Sequence, residues 1–159
     1  EISYGKAYKE HFSKSIDYAN LRGQHNINVY LKPTKVIVCL DSNVLEEDVE
    51  KVAIAAKVLN IAIEFYSIDP VSDVSNLNVL HDWMDLTNKI NHDSVVRVLN
   101  INTISSKFLK FCHSKAIHIY NDKTSNYGRF ELLNYLTEQN RSINYHRYGN
   151  LMGMENCNS

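Results

Sequence analysis

No apolar run in this 159-residue sequence approaches the ~20 residues that cross a bilayer, so nothing in it reads as a membrane span. An excess of charge of either sign is missing too. A formal net charge of −1 gives no reason to expect a nucleic acid or an anionic membrane as partner. The segment from Glu1 to Asn20 has no apolar block and does not read as a signal peptide. Cysteine is sparse, with Cys39, Cys112 and Cys157 scattered and no pair at metal-ligand spacing, which argues against zinc and for a reducing, cytoplasmic setting. There is no internal repeat and no low-complexity tract. What remains is 44% apolar side chains, enough for one domain with a core of its own.

The apolar residues fall into alternating strand and helix patterns. Tyr4, Ala7, Tyr8, His11 and Phe12 share one helical face, which predicts a short helix docked on a neighbour. Leu21 to Asn28 reads as a turn or linker, and Val29 to Leu31 as an extended piece stopped by Pro33. Val36 to Leu40 is continuously apolar, the pattern of a strand covered on both faces. Asn43 with Glu46 predicts a capping box for a helix that buries Val49, Val52, Ala53, Ala56 and Leu59. Strands follow at Ile61–Tyr66, Val95–Leu99 (interrupted by Arg97) and Ala116–Tyr120. Helices are expected over about 78–91 and 105–114, the latter capped by Asn102 or Thr103. The last unit is a helix from Gly128, with Leu132, Leu133 and Leu136 inward and Arg129, Glu131 and Glu138 in water. A strand at Ser142–Tyr145 follows it. Repeated strand–helix alternation predicts an α/β, Rossmann-like fold. Its mainly parallel five-stranded sheet has helices on both faces, and a short N-terminal helix is added. The expected division is a helix and linker over 1–28, the α/β domain over 29–151 and a flexible tail over 152–159.

An α/β fold that grips a pyrophosphate does so on a glycine-rich first strand–helix turn. Here that turn reads Leu40-Asp41-Ser42-Asn43-Val44, with an acid and no glycine. An attacking thiol needs an exposed, activated thiolate. Cys39 lies mid-strand, Cys112 mid-helix and Cys157 in a polar tail. The seven histidines are spread from His11 to His146 with no HExxH pair. The expectation is therefore no catalytic, cofactor or metal residue in this chain.

The richest polar cluster is terminal: His146-Arg147-Tyr148-Gly149-Asn150, in a segment crowded with tyrosines as partner-facing surfaces often are. Two stretches here carry a family resemblance. One is Gly128-Arg129, Glu131-Leu132-Leu133, Tyr135-Leu136, Glu138-Gln139, Ser142 and His146 to Leu151. The other is Gly23-Gln24-His25-Asn26 leading into Val29 to Pro33, with His25 where an acid is usual. Both resemble the C-terminal region of long glutamate semialdehyde (pyrroline-5-carboxylate) dehydrogenases, including the bifunctional proline utilization A flavoproteins.

That resemblance implies a parent enzyme oxidising glutamate γ-semialdehyde with NAD in proline catabolism, with FAD added in the bifunctional relatives. The chain itself would be a non-catalytic, aldehyde-dehydrogenase-like C-terminal domain. It would pack on the upstream catalytic domain, cover a substrate passage or support a homo-oligomer. A chain starting at Glu1 rather than Met fits an excised domain. Arg129, Tyr145, His146, Arg147 and Tyr148 are the expected interface residues. Two alternatives stand beside this reading. One is a free-standing ligand or nucleotide module with its pocket around Asp41, Ser67 and Asn100. The other is a small enzyme built on Cys112 and His113, which adjacent helical positions about 100° apart disfavour.

Overall fold

Lys35–Leu40 forms the central strand (β3) of a five-stranded sheet, and every residue from Val36 to Leu40 is fully buried. The computed structural model describes residues 2–72, 74–99 and 104–144. Before β3 come α1 (Ile2–Ala7), which runs into a π-helical turn at Tyr8–Phe12, then β1 (Ile16–Asp17) and β2 (Gln24–Leu31). After it come α2 (Glu46–Leu59), β4 (Ala62–Ser67), β5 (Leu77–Val79) and a 3₁₀ helix (Trp83–Asn88). The chain continues through β6 (Ser94–Leu99), α3 (Ser106–Ser114), β7 (His118–Tyr120), α4 (Gly128–Leu133) and β8 (Thr137–Asn144).

The large sheet has the order β5-β4-β3-β6-β7, and every pairing in it is parallel. Alternate residues of its strands feed two cores. Val36, Val38, Leu40, Val95 and Leu99 face Val52, Ala55 and Leu59 of α2, Leu132 of α4, and Tyr4, Ala7 and Phe12 of the N-terminal segment. Ile37, Cys39, Val96 and Val98 face Trp83 and Leu86 of the 3₁₀ helix and Phe108 and Cys112 of α3. The expected Rossmann-like layers, with helices on both faces and a helix at the N-terminus, are thus present. No helix among the described residues is long and apolar enough to cross a membrane.

The membership of the sheet differs from expectation. Its fifth strand is β5, which lies where a helix over 78–91 was expected. Only a short 3₁₀ helix follows, started by a capping box between Asp82 and Asp85, and it buries Leu86 together with Trp83. The strand expected at Ser142–Tyr145 begins earlier, at Thr137, and leaves the large sheet altogether. It pairs antiparallel with β2 over eight residues, and β1 completes a separate three-stranded sheet of order β1-β2-β8. Consequently Gln24 to Asn28 is strand, not linker, entered through a turn at Gly23 whose φ of 89° suits glycine.

Local signals also shift. No side chain caps α2: Leu45 is its N-cap, while Asn43 donates its amide to Asp41 Oδ1 at 2.9 Å. Asn60, at φ 54°, ends the helix in the left-handed conformation that asparagine tolerates. Ser105, not Asn102 or Thr103 (both outside the described residues), caps α3 by accepting from the Lys107 amide at 3.2 Å. On α4, Leu133 is exposed whereas Glu131 is fully buried, the reverse of the expected faces. Backbone contact explains one feature of α4. A Cβ on Gly128 would lie 2.6 Å from Tyr4 Cα and 2.7 Å from the Ser3 carbonyl oxygen, so only glycine lets α1 settle there.

Candidate functional site

The connections after β3 and β6 leave on opposite faces of the sheet, so the crevice between their carboxyl ends is where ligands enter such folds. A cavity of about 290 Å³ lies there, lined by Leu45, Asp48, Leu99 and residues Asn121 to Thr124. Asp41 turns its carboxylate back on its own turn, and its carbonyl accepts from the Val44 amide at 3.2 Å. Two amides that could cradle a phosphate are thereby engaged. Glu46, Glu47 and Asp48 occupy the first turn of α2, where they satisfy the helix dipole with fixed negative charge. Thr124 donates its hydroxyl to Asp48, closing the cavity's other wall. An anionic ligand therefore meets Asp48 of α2 and Asp122 on the far side, against Lys123 among the lining residues.

Of the residues expected around a ligand pocket, Asp41 and Ser67 do not line this cavity, and Asn100 lies outside the described residues. Ser67 is buried, its hydroxyl accepting from the Asp69 amide and its carbonyl from Leu80. Neither described cysteine is activated. Burial first, and then the proximity of Cys112, push the Cys39 thiol far above its ordinary value. Burial alone lifts Cys112 to about 11. Cys112 is buried while His113 beside it is exposed, so the two do not form a nucleophile and base. Cys157 lies outside the described residues. Among those described, no group of histidines, cysteines and acids could hold a metal ion.

Of the expected interface residues, Arg129 is exposed on α4. Flanking it in sequence, Tyr127 and Phe130 meet edge to face with centroids 6.3 Å apart and are 71% and 65% exposed. Tyr145, His146, Arg147 and Tyr148 lie outside the described residues. All eight residues of β8 are exposed, and among the described residues no strand pairs with its outer edge. Such a strand, with solvent around both its faces, is an available template for another chain.

One polar cluster was not anticipated. Arg97, on the face of β6 between Val38 and Tyr120, is fully buried, and its Nη2 sits 3.5 Å from Oε1 of the equally buried Glu131. Tyr135 donates its hydroxyl to the same oxygen at 2.7 Å, and the Ser125 amide donates to Oε2 at 2.8 Å. Tyr4 of α1 reaches in as well, donating to the Ser125 carbonyl; burial and then the charge of Glu131 raise its hydroxyl pKa to about 12. The sequence held a clue: an arginine amid Val95, Val96, Val98 and Leu99 requires a buried acid partner.

No family model matches the sequence, and no curated protein matches it. Among solved structures, the fold is similar to part of proline utilization A (PutA) from Corynebacterium freiburgense. The TM-score is 0.60 and the identity 18%, over 91% of this chain and 13% of that one. The chain therefore spans a small fraction of that protein's length, and at this identity the likeness is one of fold.

Proposed function

We propose that this chain is a non-catalytic structural domain of a longer cytoplasmic enzyme of proline catabolism. That parent would be an NAD-dependent glutamate γ-semialdehyde (1-pyrroline-5-carboxylate) dehydrogenase. The reading rests on the sequence resemblance, supported by a fold like part of PutA. The single observation that carries the non-catalytic part is the first strand–helix turn. Its Asn43 and Val44 amides are bonded to Asp41, and α2 opens on Glu46, Glu47 and Asp48. The domain then binds no NAD of its own. It packs on the upstream catalytic domain, covers a substrate passage or supports a homo-oligomer.

Two exposed features fit a contact role: the β8 ribbon, and the Tyr127–Phe130 ring pair at the start of α4. The test is to delete residues 142–159 from the full-length parent and measure assembly and semialdehyde oxidation. Weaker assembly or slower turnover is expected, and unchanged values of both reject the role.

A second reading has one observation in its favour, the 290 Å³ cavity at the sheet's crevice. In that reading the chain is a small-ligand or nucleotide module. Calorimetry of the chain with NAD⁺, NADH and ATP separates the two, since the structural role expects no heat from any of them.

A further inference from the structure

We propose that the Arg97 guanidinium is an internal binding site for water, and that this water completes the polar cluster joining the sheet to α1, α4 and the root of β8. Arg97 is 0% exposed, and Nε, Nη1 and Nη2 all lack a hydrogen-bond partner among the described residues. The approach to Glu131 at 3.5 Å supplies charge balance without hydrogen-bond geometry. A guanidinium carries five N–H donors in a planar fork. Buried donors of this kind are normally satisfied, and ordered water is the usual partner where protein acceptors are used up. Here no protein acceptor among the described residues stands in hydrogen-bond geometry to the guanidinium, and the nearest ones are already engaged once each: Glu131 Oε1 accepts from Tyr135, Oε2 from Ser125, and the Ser125 carbonyl from Tyr4.

Charge selects the ligand. Arg97 and Glu131 already sum to zero, so an anion would add an unpaired charge beside a carboxylate, and a cation would face the guanidinium. A small neutral acceptor is what the site takes. A supply of water lies close in the fold. Leu99, two residues along the same face of β6, lines the 290 Å³ crevice cavity, as does Thr124, the neighbour of Ser125. The site depends on none of the functional readings above.

The test uses the unaltered 159-residue chain. A high-resolution crystal structure should show ordered water within 2.7–3.2 Å of the Arg97 nitrogens, as N–H···O bonds require. Water-selective NMR should give a cross-peak from solvent to the Arg97 Nε–H. A guanidinium turned to bond protein acceptors through all its nitrogens, with no water cross-peak, overturns the proposal. Crystals soaked in bromide supply a further arm: anomalous density at Arg97 would make the site an anion site and likewise defeat it, whereas water density there upholds it.

Discussion

Glu131 is the residue whose loss the fold should feel most. Removing one partner of a buried ion pair strands the other charge, at a cost of about 3–5 kcal/mol. Glu131→Leu should therefore lower the denaturant midpoint steeply. Replacing Arg97 and Glu131 together by apolar residues of similar volume should recover much of that loss, because neither charge is then left alone. A double variant as unstable as the single one would show that packing, not charge, holds α4 down. A gain is expected elsewhere. Ala116 sits at φ 53° just past α3, where its amide donates to the His113 carbonyl. Glycine carries no Cβ penalty in that conformation, so Ala116→Gly should raise stability by about 0.5–1 kcal/mol in thermal or chemical melts.

The elements differ in how openly their sequences announce them. β3 and β6 lie mid-sheet, so both faces select apolar residues, and Val36 to Leu40 can be read directly. β2 and β8 lack that signal. Strand periodicity appears only where one face is buried, and Gln24-His25-Asn26 and the all-exposed Thr137 to Asn144 bury none. β5 spans three residues, too few for a period, and the apolar spacing around Leu80, Trp83 and Leu86 suits a helix of either pitch. The candidate site was half legible. The missing glycines at Asp41 to Val44 are visible in the sequence, but the engagement of those amides by Asp41 needed coordinates. One staple between elements can be tested. Lys32 Nζ donates to the Leu59 carbonyl at the end of α2 at 2.7 Å and lies 4.8 Å from the Tyr8 ring. Lys32→Met keeps the stem and loses the charge. It should cost about 0.5–1 kcal/mol and speed amide exchange in α1 and its π-helical turn.

Considered whole, the molecule holds buried tyrosines neutral on both faces of its large sheet, Tyr4 and Tyr135 on the side of α1 and α4 and Tyr66 on the side of the 3₁₀ helix. Burial, as the leading cause, raises the hydroxyl pKa of Tyr4 to about 12 and moves Tyr66 and Tyr135 upward too. Folded pKa values above the unfolded value of ~10 mean that the folded chain keeps these protons longer. Their contribution is complete below pH ~10 and is lost as pH rises through the folded values. Stability should thus fall between about pH 10 and 12, and Tyr4→Phe should make that fall shallower; an equal slope in the variant would remove Tyr4 from the account.

The close approach at Gly128 has a corollary for redesign. While α1 lies against it, Gly128→Ala forces backbone apart and should cost about 1–3 kcal/mol. In a chain shortened to begin after Phe12, the obstacle is gone and alanine's better helix propensity is left to act. The same mutation should then become favourable, so its sign in melting experiments reports whether the amino-terminal segment is seated.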